Sequence, residues 1–217
     1  MNALRSIAFN FFLIFGSLFW SIALLWALPL PTKACARIVG TVYGGYISFI
    51  ERWVLGLRLE LRGLEYLPPA PYIIAAKHQS AFETLKLPFM ARFGFPCIIH
   101  KKELYFLPIW GWYLYGMGQI GIDRGKGADA MNSIIKGCRR AVESGRSVII
   151  FPQGTRVPVG KKAPYKVGIA KAYRDLKAPL VPMALNSGVF WGKNAFFKKP
   201  GTVVFEFMPP IPPGLPP

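Results

Sequence analysis

The chain of 217 residues is poor in histidine, has no paired cysteines and carries no acidic side chain before Glu51. Its three cysteines, Cys35, Cys97 and Cys138, are far apart, and none belongs to a C-x-x-C pair. That argues against a disulfide framework and against a zinc site, and leaves them as ordinary apolar residues in a reducing compartment. No G-K-[ST] is present, so there is no Walker loop. No G-x-S-x-G elbow occurs, which disfavours a serine hydrolase. With only two histidines, His78 and His100, few side chains can serve as a base near neutral pH.

Positive charge and apolar runs are abundant instead. There are 27 Lys and Arg against 10 Asp and Glu, a net charge of +17. Such a balance attracts polyanions: an anionic membrane, acidic protein partners or nucleic acid. The phenylalanines sit mostly in apolar runs and form no basic-aromatic stacking platform, so a nucleic-acid partner is not expected.

From Ser6 to Thr32 no residue is charged, and residues 7–28 are almost wholly apolar. A helix needs roughly 20 such residues to cross the hydrocarbon core. A cleavable signal peptide would have a shorter apolar region, and Pro29 and Pro31 stand where a small-residue cleavage site would follow. The segment is expected to be an uncleaved membrane anchor. Residues 38–50 form a second uncharged run, too short to span, which suits an interfacial or re-entrant helix. The two read as a membrane-anchoring helical hairpin over residues 1–60. Lys33, Arg37, Arg52 and Arg58 assign the following body to the cytoplasmic side, at a bacterial inner membrane.

Beyond Arg62-Gly63 short apolar runs alternate with helical stretches. Strands are predicted over 72–76, 97–100, 118–122, 147–151, 180–185 and 203–207, and helices over 81–93, 104–115, 128–144 and 168–176. Strands alternating with helices at this spacing indicate an α/β fold with a largely parallel sheet flanked by helices. Near-continuous apolar strands fit a sheet covered on both faces. This domain is expected over residues 61–208, with a Pro-rich tail over 209–217 that has no core of its own.

Two segments carry the chemistry: Lys77-His78-Gln79-Ser80-Ala81-Phe82-Glu83 and Phe151-Pro152-Gln153-Gly154-Thr155-Arg156. His78 follows a predicted strand, and the carboxyl ends of strands are where open sheets place ligands. It can act as a general base, with Lys77 beside it disfavouring the imidazolium. On a continuous helix, positions five apart point about 140° away from each other. Glu83 can therefore reach the imidazole only if His78 precedes the helix, where the carboxylate would orient the ring. A second reading makes Ser80 the N-cap and Glu83 the N3 partner of a capping box. The roles are compatible, since a carboxylate has two oxygens. His100, without a nearby carboxylate, reads as a surface histidine. The Gly154-Thr155-Arg156 turn and the Asp123-Arg124-Gly125 turn each offer a phosphate site or an ordinary surface turn.

Four blocks in order resemble the glycerolipid acyltransferase family, closest to bacterial 1-acyl-sn-glycerol-3-phosphate acyltransferases. His78 to Glu83 is similar to H-x4-D, Gly118 to Arg124 to G-x-I-x-I-D-R, Phe151 to Arg156 to F-P-E-G-T-R, and Leu180 to Ser187 to V-P-V-A-L-N-S. Lys101-Lys102-Glu103-Leu104 with Leu107-Pro108 also looks like the family's K-x-E-L-x-x-x-P link. Glu83 stands where the family usually has Asp, Gln153 where it has Glu, and Lys77 where it often has Asn. The chain stops near where many relatives continue into a final helix.

The resemblance implies transfer of a fatty acyl group from acyl-CoA or acyl-ACP to the sn-2 hydroxyl of 1-acyl-glycerol-3-phosphate, making phosphatidic acid. It implies His78 and Glu83 as catalytic residues and Arg124, Gly154, Thr155 and Arg156 as the acceptor-phosphate site. No cofactor or metal is implied; the thioester is a cosubstrate. The expected partners are a membrane lipid acceptor, an anionic phospholipid bilayer and an acyl carrier protein. Two rivals are an acyltransferase for another lyso-lipid, such as a lyso-ornithine lipid or other lysophospholipid, and a non-catalytic membrane-anchored anion binder.

Overall fold

The computed structural model describes residues 2–123, 125 and 127–215. Two helices open the chain, α1 (Asn2–Ala23) and α2 (Thr32–Ile50), followed by a π-helical turn over Glu51–Leu55. Seven strands follow: β1 (Leu57–Arg62), β2 (Ile73–Ala76), β3 (Cys97–Lys101), β4 (Ile120–Ile122), β5 (Val148–Ile150), β6 (Leu180–Leu185) and β7 (Gly201–Phe207). They form one sheet in the order β1-β7-β6-β2-β5-β3-β4, in which only β6 and β7 run antiparallel. The helices among them are α3 (Phe82–Lys86), α4 (Trp110–Gly116), α5 (Gly127–Glu143), α6 (Gly168–Leu176) and α7 (Ser187–Phe190).

Successive strand residues point to opposite faces, and both faces are buried, as the apolar runs required. On one face Ile73, Val148, Ile150 and Leu180 pack against Ile134, Ile135 and Cys138 of α5 and Ala172, Tyr173 and Leu176 of α6. On the other, Ile74, Ala76, Ile149, Val181 and Met183 share a core with Phe82 of α3, Ile47 and Ile50 of α2, and Phe9 of α1. The N-terminal hairpin thus supplies part of the second helical layer. A buried ion pair fastens it there: the Lys86 ammonium on α3 meets the Glu51 carboxylate and donates to Ser48 Oγ at 2.8 Å.

The six predicted strands are present, with small shifts at their ends. The sequence reading missed β1, whose Leu57-Arg58-Leu59-Glu60-Leu61-Arg62 alternation is a half-buried edge strand, paired with β7 on one side only. The boundary expected between residues 60 and 61 falls within it. The helix predicted over 81–93 stops at Lys86 and breaks into 3-10 turns at Leu87–Phe89 and Ala91–Phe93. Pro88 lacks the N–H that another α-turn would need. Pro108 likewise divides the helix predicted over 104–115 into a 3-10 turn, Lys102–Phe106, and α4. The second apolar helix is longer than its uncharged run, starting at Thr32 because Pro31 caps it and Lys33 and Arg37 point to solvent. The described part of the tail, up to residue 215, is tied down rather than free. Ile211 bridges Leu180 through two backbone hydrogen bonds, and the Tyr173 hydroxyl donates to the Pro212 carbonyl.

Candidate active site

Parallel neighbours deliver their carboxyl ends to one edge of the sheet. Three adjacent strands, β6, β2 and β5, lead respectively into Asn186-Ser187, Lys77-His78 and Phe151-Pro152-Gln153. Segments 33 to 110 residues apart in sequence therefore converge, which is the usual ligand position for an open α/β sheet.

His78 is gripped by the turn that follows β5. Its backbone N–H donates to Gln153 Oε1 at 3.0 Å, and its carbonyl accepts from the Val157 N–H at 2.8 Å. Its ring stacks on Phe151, with centroids 4.0 Å apart and planes 15° from parallel. Gln153, which had no role in the sequence reading, is buried and serves as the link between the two motifs. Gly154 makes the turn at φ 67°, a left-handed conformation that glycine adopts without a Cβ penalty.

Glu83 lies fully buried in the first turn of α3. Only one arm of the expected capping box is present: both Glu83 oxygens accept from the Ser80 N–H at 3.0 Å, but the N-cap is Ala81 and Ser80 Oγ accepts from the Phe82 N–H at 3.0 Å instead of the Glu83 N–H. Glu83 Oε1 also accepts from the Gln79 N–H at 2.8 Å and from the Ser187 hydroxyl at 2.9 Å. Burial pushes this carboxyl up to about 7, against the opposing pull of these donors. Gln79 closes the ring of contacts, its Oε1 accepting from the Gly188 N–H at 3.2 Å. Ser187 was visible in the sequence only as the end of the fourth block. Its bond to Glu83 spans 104 positions, and no local pattern announces it.

A cavity of about 940 Å³ runs from this edge to the N-terminal hairpin. His78, Gly154, Thr155 and Arg156 line it together, joined by Lys166 and Lys193. The opposite stretch is apolar, with Trp20 and Leu24 of α1, Val39 and Tyr43 of α2, and Leu85, Leu107, Trp110 and Ile134. Arg124 lies outside the described residues. His100 is half-buried and lines the same cavity, contrary to the expectation of a surface histidine. Its Nδ1 faces the Lys101 carbonyl at 2.8 Å, so that nitrogen carries the proton, and burial holds the ring's pKa below its usual value. No cluster of metal-ligating side chains exists among the described residues.

A family model described as "Acyltransferase" matches residues 58–186, which include the first three motif blocks and all of the fourth but Ser187. The chain belongs to the acyltransferase family. This acyltransferase is 33% identical over 205 residues to the 1-acyl-sn-glycerol-3-phosphate acyltransferase of Pseudomonas aeruginosa, covering 94% of this chain and 79% of that protein. It is 29% identical over 194 residues to the protein of the same name from Limnanthes alba, covering 88% and 67%. The crystal structure of the 1-acyl-sn-glycerophosphate acyltransferase PlsC from Thermotoga maritima superposes with a TM-score of 0.74. That match spans 97% of this acyltransferase and 85% of PlsC at 21% identity, and establishes the shared α/β fold.

Proposed function

We propose that this acyltransferase moves a fatty acyl group from acyl-CoA or acyl-ACP to the sn-2 hydroxyl of 1-acyl-glycerol-3-phosphate, making phosphatidic acid. The observation that carries the reading is one cavity with two kinds of wall. His78 lines it together with the cations Arg156 and Lys166 and with apolar side chains that include those of the hairpin. A lysophosphatidate has the matching halves, a phosphate monoester and an acyl chain, and the names of the relatives agree with it.

In this reading the His78 imidazole takes the hydroxyl proton as the acceptor oxygen attacks the thioester carbonyl. The tetrahedral intermediate collapses with loss of the C–S bond, and the imidazolium returns the proton to the leaving thiolate. The products are an ester and a free thiol, with no acyl-enzyme. Glu83 orients the ring, while Gly154, Thr155 and Arg156 hold the phosphate, with Arg124 as a further ligand. The thioester supplies the activation, so the reaction needs no cofactor.

The hairpin favours a membrane-bound enzyme that takes its acceptor from one leaflet. Helix α1 has 22 residues, long and apolar enough to span. Contacts hold it to the body from Ser6, bonded to Lys198, to Ser21, whose carbonyl accepts from Tyr113 OH at 2.6 Å. Ser6, Ser17 and Ser21 face inward with Phe9, and Ile7, Phe11, Ile14, Phe15, Leu18 and Phe19 face out. Serines inside and a row of large apolar side chains outside suit a lipid surround. With a net charge of +17 the body is drawn to anionic lipid at the cytoplasmic face of the inner membrane and to an acidic carrier protein.

The test is acyl transfer to a panel of lyso-lipids with both donor types. Lysophosphatidate should be the best acceptor, and a preference for an acceptor without a phosphate monoester would overturn the assignment. His78→Ala should lower kcat by about 10²–10⁴-fold in a folded sample, the usual worth of a general base. Wild-type turnover in that variant would remove His78 from the chemistry. Arg156→Ala should mainly raise the acceptor KM.

A further inference from the structure

Residues 104–115 carry an apolar surface that extends beyond the side chains lining the cavity. Leu104, Phe106, Leu107, Trp110, Trp112 and Tyr115 are all exposed, with Phe106 at 77%, Trp112 at 55% and Tyr115 at 79%. Singly exposed apolar residues are normal, but six large ones within a twelve-residue segment mark an interaction surface. The segment is rigidly held. The Tyr105 hydroxyl donates to the Gln119 carbonyl and accepts from the Gly121 N–H at 3.1 Å, fastening the 3-10 turn to β4. Gly111 packs so closely on the Tyr105 carbonyl that a Cβ would lie 1.9 Å from its oxygen. The β-branched Ile109 is held at φ 64°, a conformation such residues avoid. An ordered fold is presenting these rings to the surroundings.

The position of the patch identifies the partner. Tyr113 donates to the Ser21 carbonyl, and Tyr113 and Met117 pack with Leu24, Ala27, Cys35 and Val39. Helix α4 therefore sits against the turn of the hairpin, where Ile22, Leu25 and Trp26 are also exposed. The apolar outer face of α1 continues through this turn into the 104–115 segment. Lys101 and Lys102 are exposed at the start of the segment, and Lys33 and Arg37 at the start of α2, so basic side chains flank it on two elements. Aromatic rings bordered by Lys and Arg are the composition of a headgroup-level surface on anionic lipid. Leu104, Leu107 and Trp110 are both exposed and part of the cavity wall, and the half-buried Trp20 lines it from the hairpin.

We propose that residues 104–115 form a second membrane-inserting surface, which rests with the α1–α2 hairpin on one anionic bilayer and brings the cavity rim into the lipid. The inference rests on the one-leaflet reading of α1. Acyl chains then enter the cavity at the rim formed by Leu104, Leu107 and Trp110 without crossing water.

The full-length chain tests this on vesicles of phosphatidylglycerol and phosphatidylcholine. Its own thiols at Cys35, Cys97 and Cys138 are buried, so single Phe15→Cys, Phe106→Cys, Trp112→Cys and Lys162→Cys variants accept nitroxide labels at the new site. Labels at 15, 106 and 112 are expected to be shielded from a water-soluble nickel chelate and accessible to oxygen, while the label at 162 stays open to the chelate. Labels at 106 and 112 as open as that at 162, with 15 shielded, would overturn the second surface and leave the hairpin intact. Exposure of the label at 15 as well would overturn both. A combined Phe106→Ser, Trp112→Ser, Tyr115→Ser variant should partition onto the vesicles at least about ten-fold less, from the apolar area withdrawn from lipid. It should keep its transfer rate in detergent micelles, because none of the three side chains lines the cavity. Unchanged partition would also overturn the proposal.

Discussion

Glu83 and Gln153 show how a residue's role depends on what folds around it. Glu83 carries the local signature of a capping box and does take the Ser80 N–H, but burial also lifts its carboxyl to about 7. If its ionised form orients His78, activity should rise with pH through about 7, where the carboxyl loses its proton. A kcat/KM profile flat between pH 5.5 and 8 would remove Glu83 from the catalytic unit. Glu83→Gln, which keeps the shape and loses the charge, should lower kcat more than it changes KM. Gln153 tests the grip on His78, the base of the proposed mechanism. Truncation by Gln153→Ala strands the His78 N–H, at a cost of about 1–3 kcal/mol for an unsatisfied buried donor. We expect kcat to fall with acceptor KM nearly unchanged, and Gln153→Glu, which restores an acceptor at the same reach, to recover most of it. Equal losses in the two variants would show that the acceptor oxygen is not what matters. That Gln153 stands in the motif is plain in the sequence. Its bond to a backbone N–H 75 positions away is not, because backbone polar groups leave no mark in a sequence.

At the scale of elements, hydrophobic pattern decided most of the outcome and proline decided the breaks. The apolar runs at 148–150 and 180–185 could only be buried strands, while Pro88 and Pro108 cut two helical patterns short. Strand β1 escaped because its alternating leucines follow directly on the hairpin and resemble an amphipathic tail to it. The π-helical turn after α2 is joined to α3 by the Glu51–Lys86 pair, 35 positions apart and both nearly inaccessible. Removing one partner leaves the other charge buried alone. Lys86→Met is therefore expected to cost about 3–5 kcal/mol, read as a lower urea midpoint. Adding Glu51→Leu should return most of that loss, since apolar replacement of both partners is often neutral. A single variant as stable as the wild type would show that the pair is not what seats the hairpin.

For the whole molecule, the hairpin is both an apolar surface and a structural layer. Phe9 of α1 stacks edge-on with Trp191 at 5.4 Å, and the Lys198 ammonium, bonded to Asn10 at 2.7 Å, lies 4.7 Å from the same indole. Burial pushes that lysine down to about 8. Deleting residues 2–23 would uncover this core, so the truncated chain should be aggregated or unfolded by circular dichroism rather than a soluble, active domain. A well-folded soluble truncation would mean that α1 is a detachable anchor. The sequence by itself determined the fold class, the apolar hairpin, the family and the two motifs, because each rests on local periodicity or on residues a few positions apart. Only the tertiary structure decided that Ser187 and Gln79 enclose Glu83, that Gln153 holds His78, and that His100 faces the cavity. It also decided that α4 packs against the turn of the hairpin while the aromatics of 104–115 stay exposed. These depend on parallel strands bringing distant segments to one edge, and on burial, neither of which is encoded at any single position.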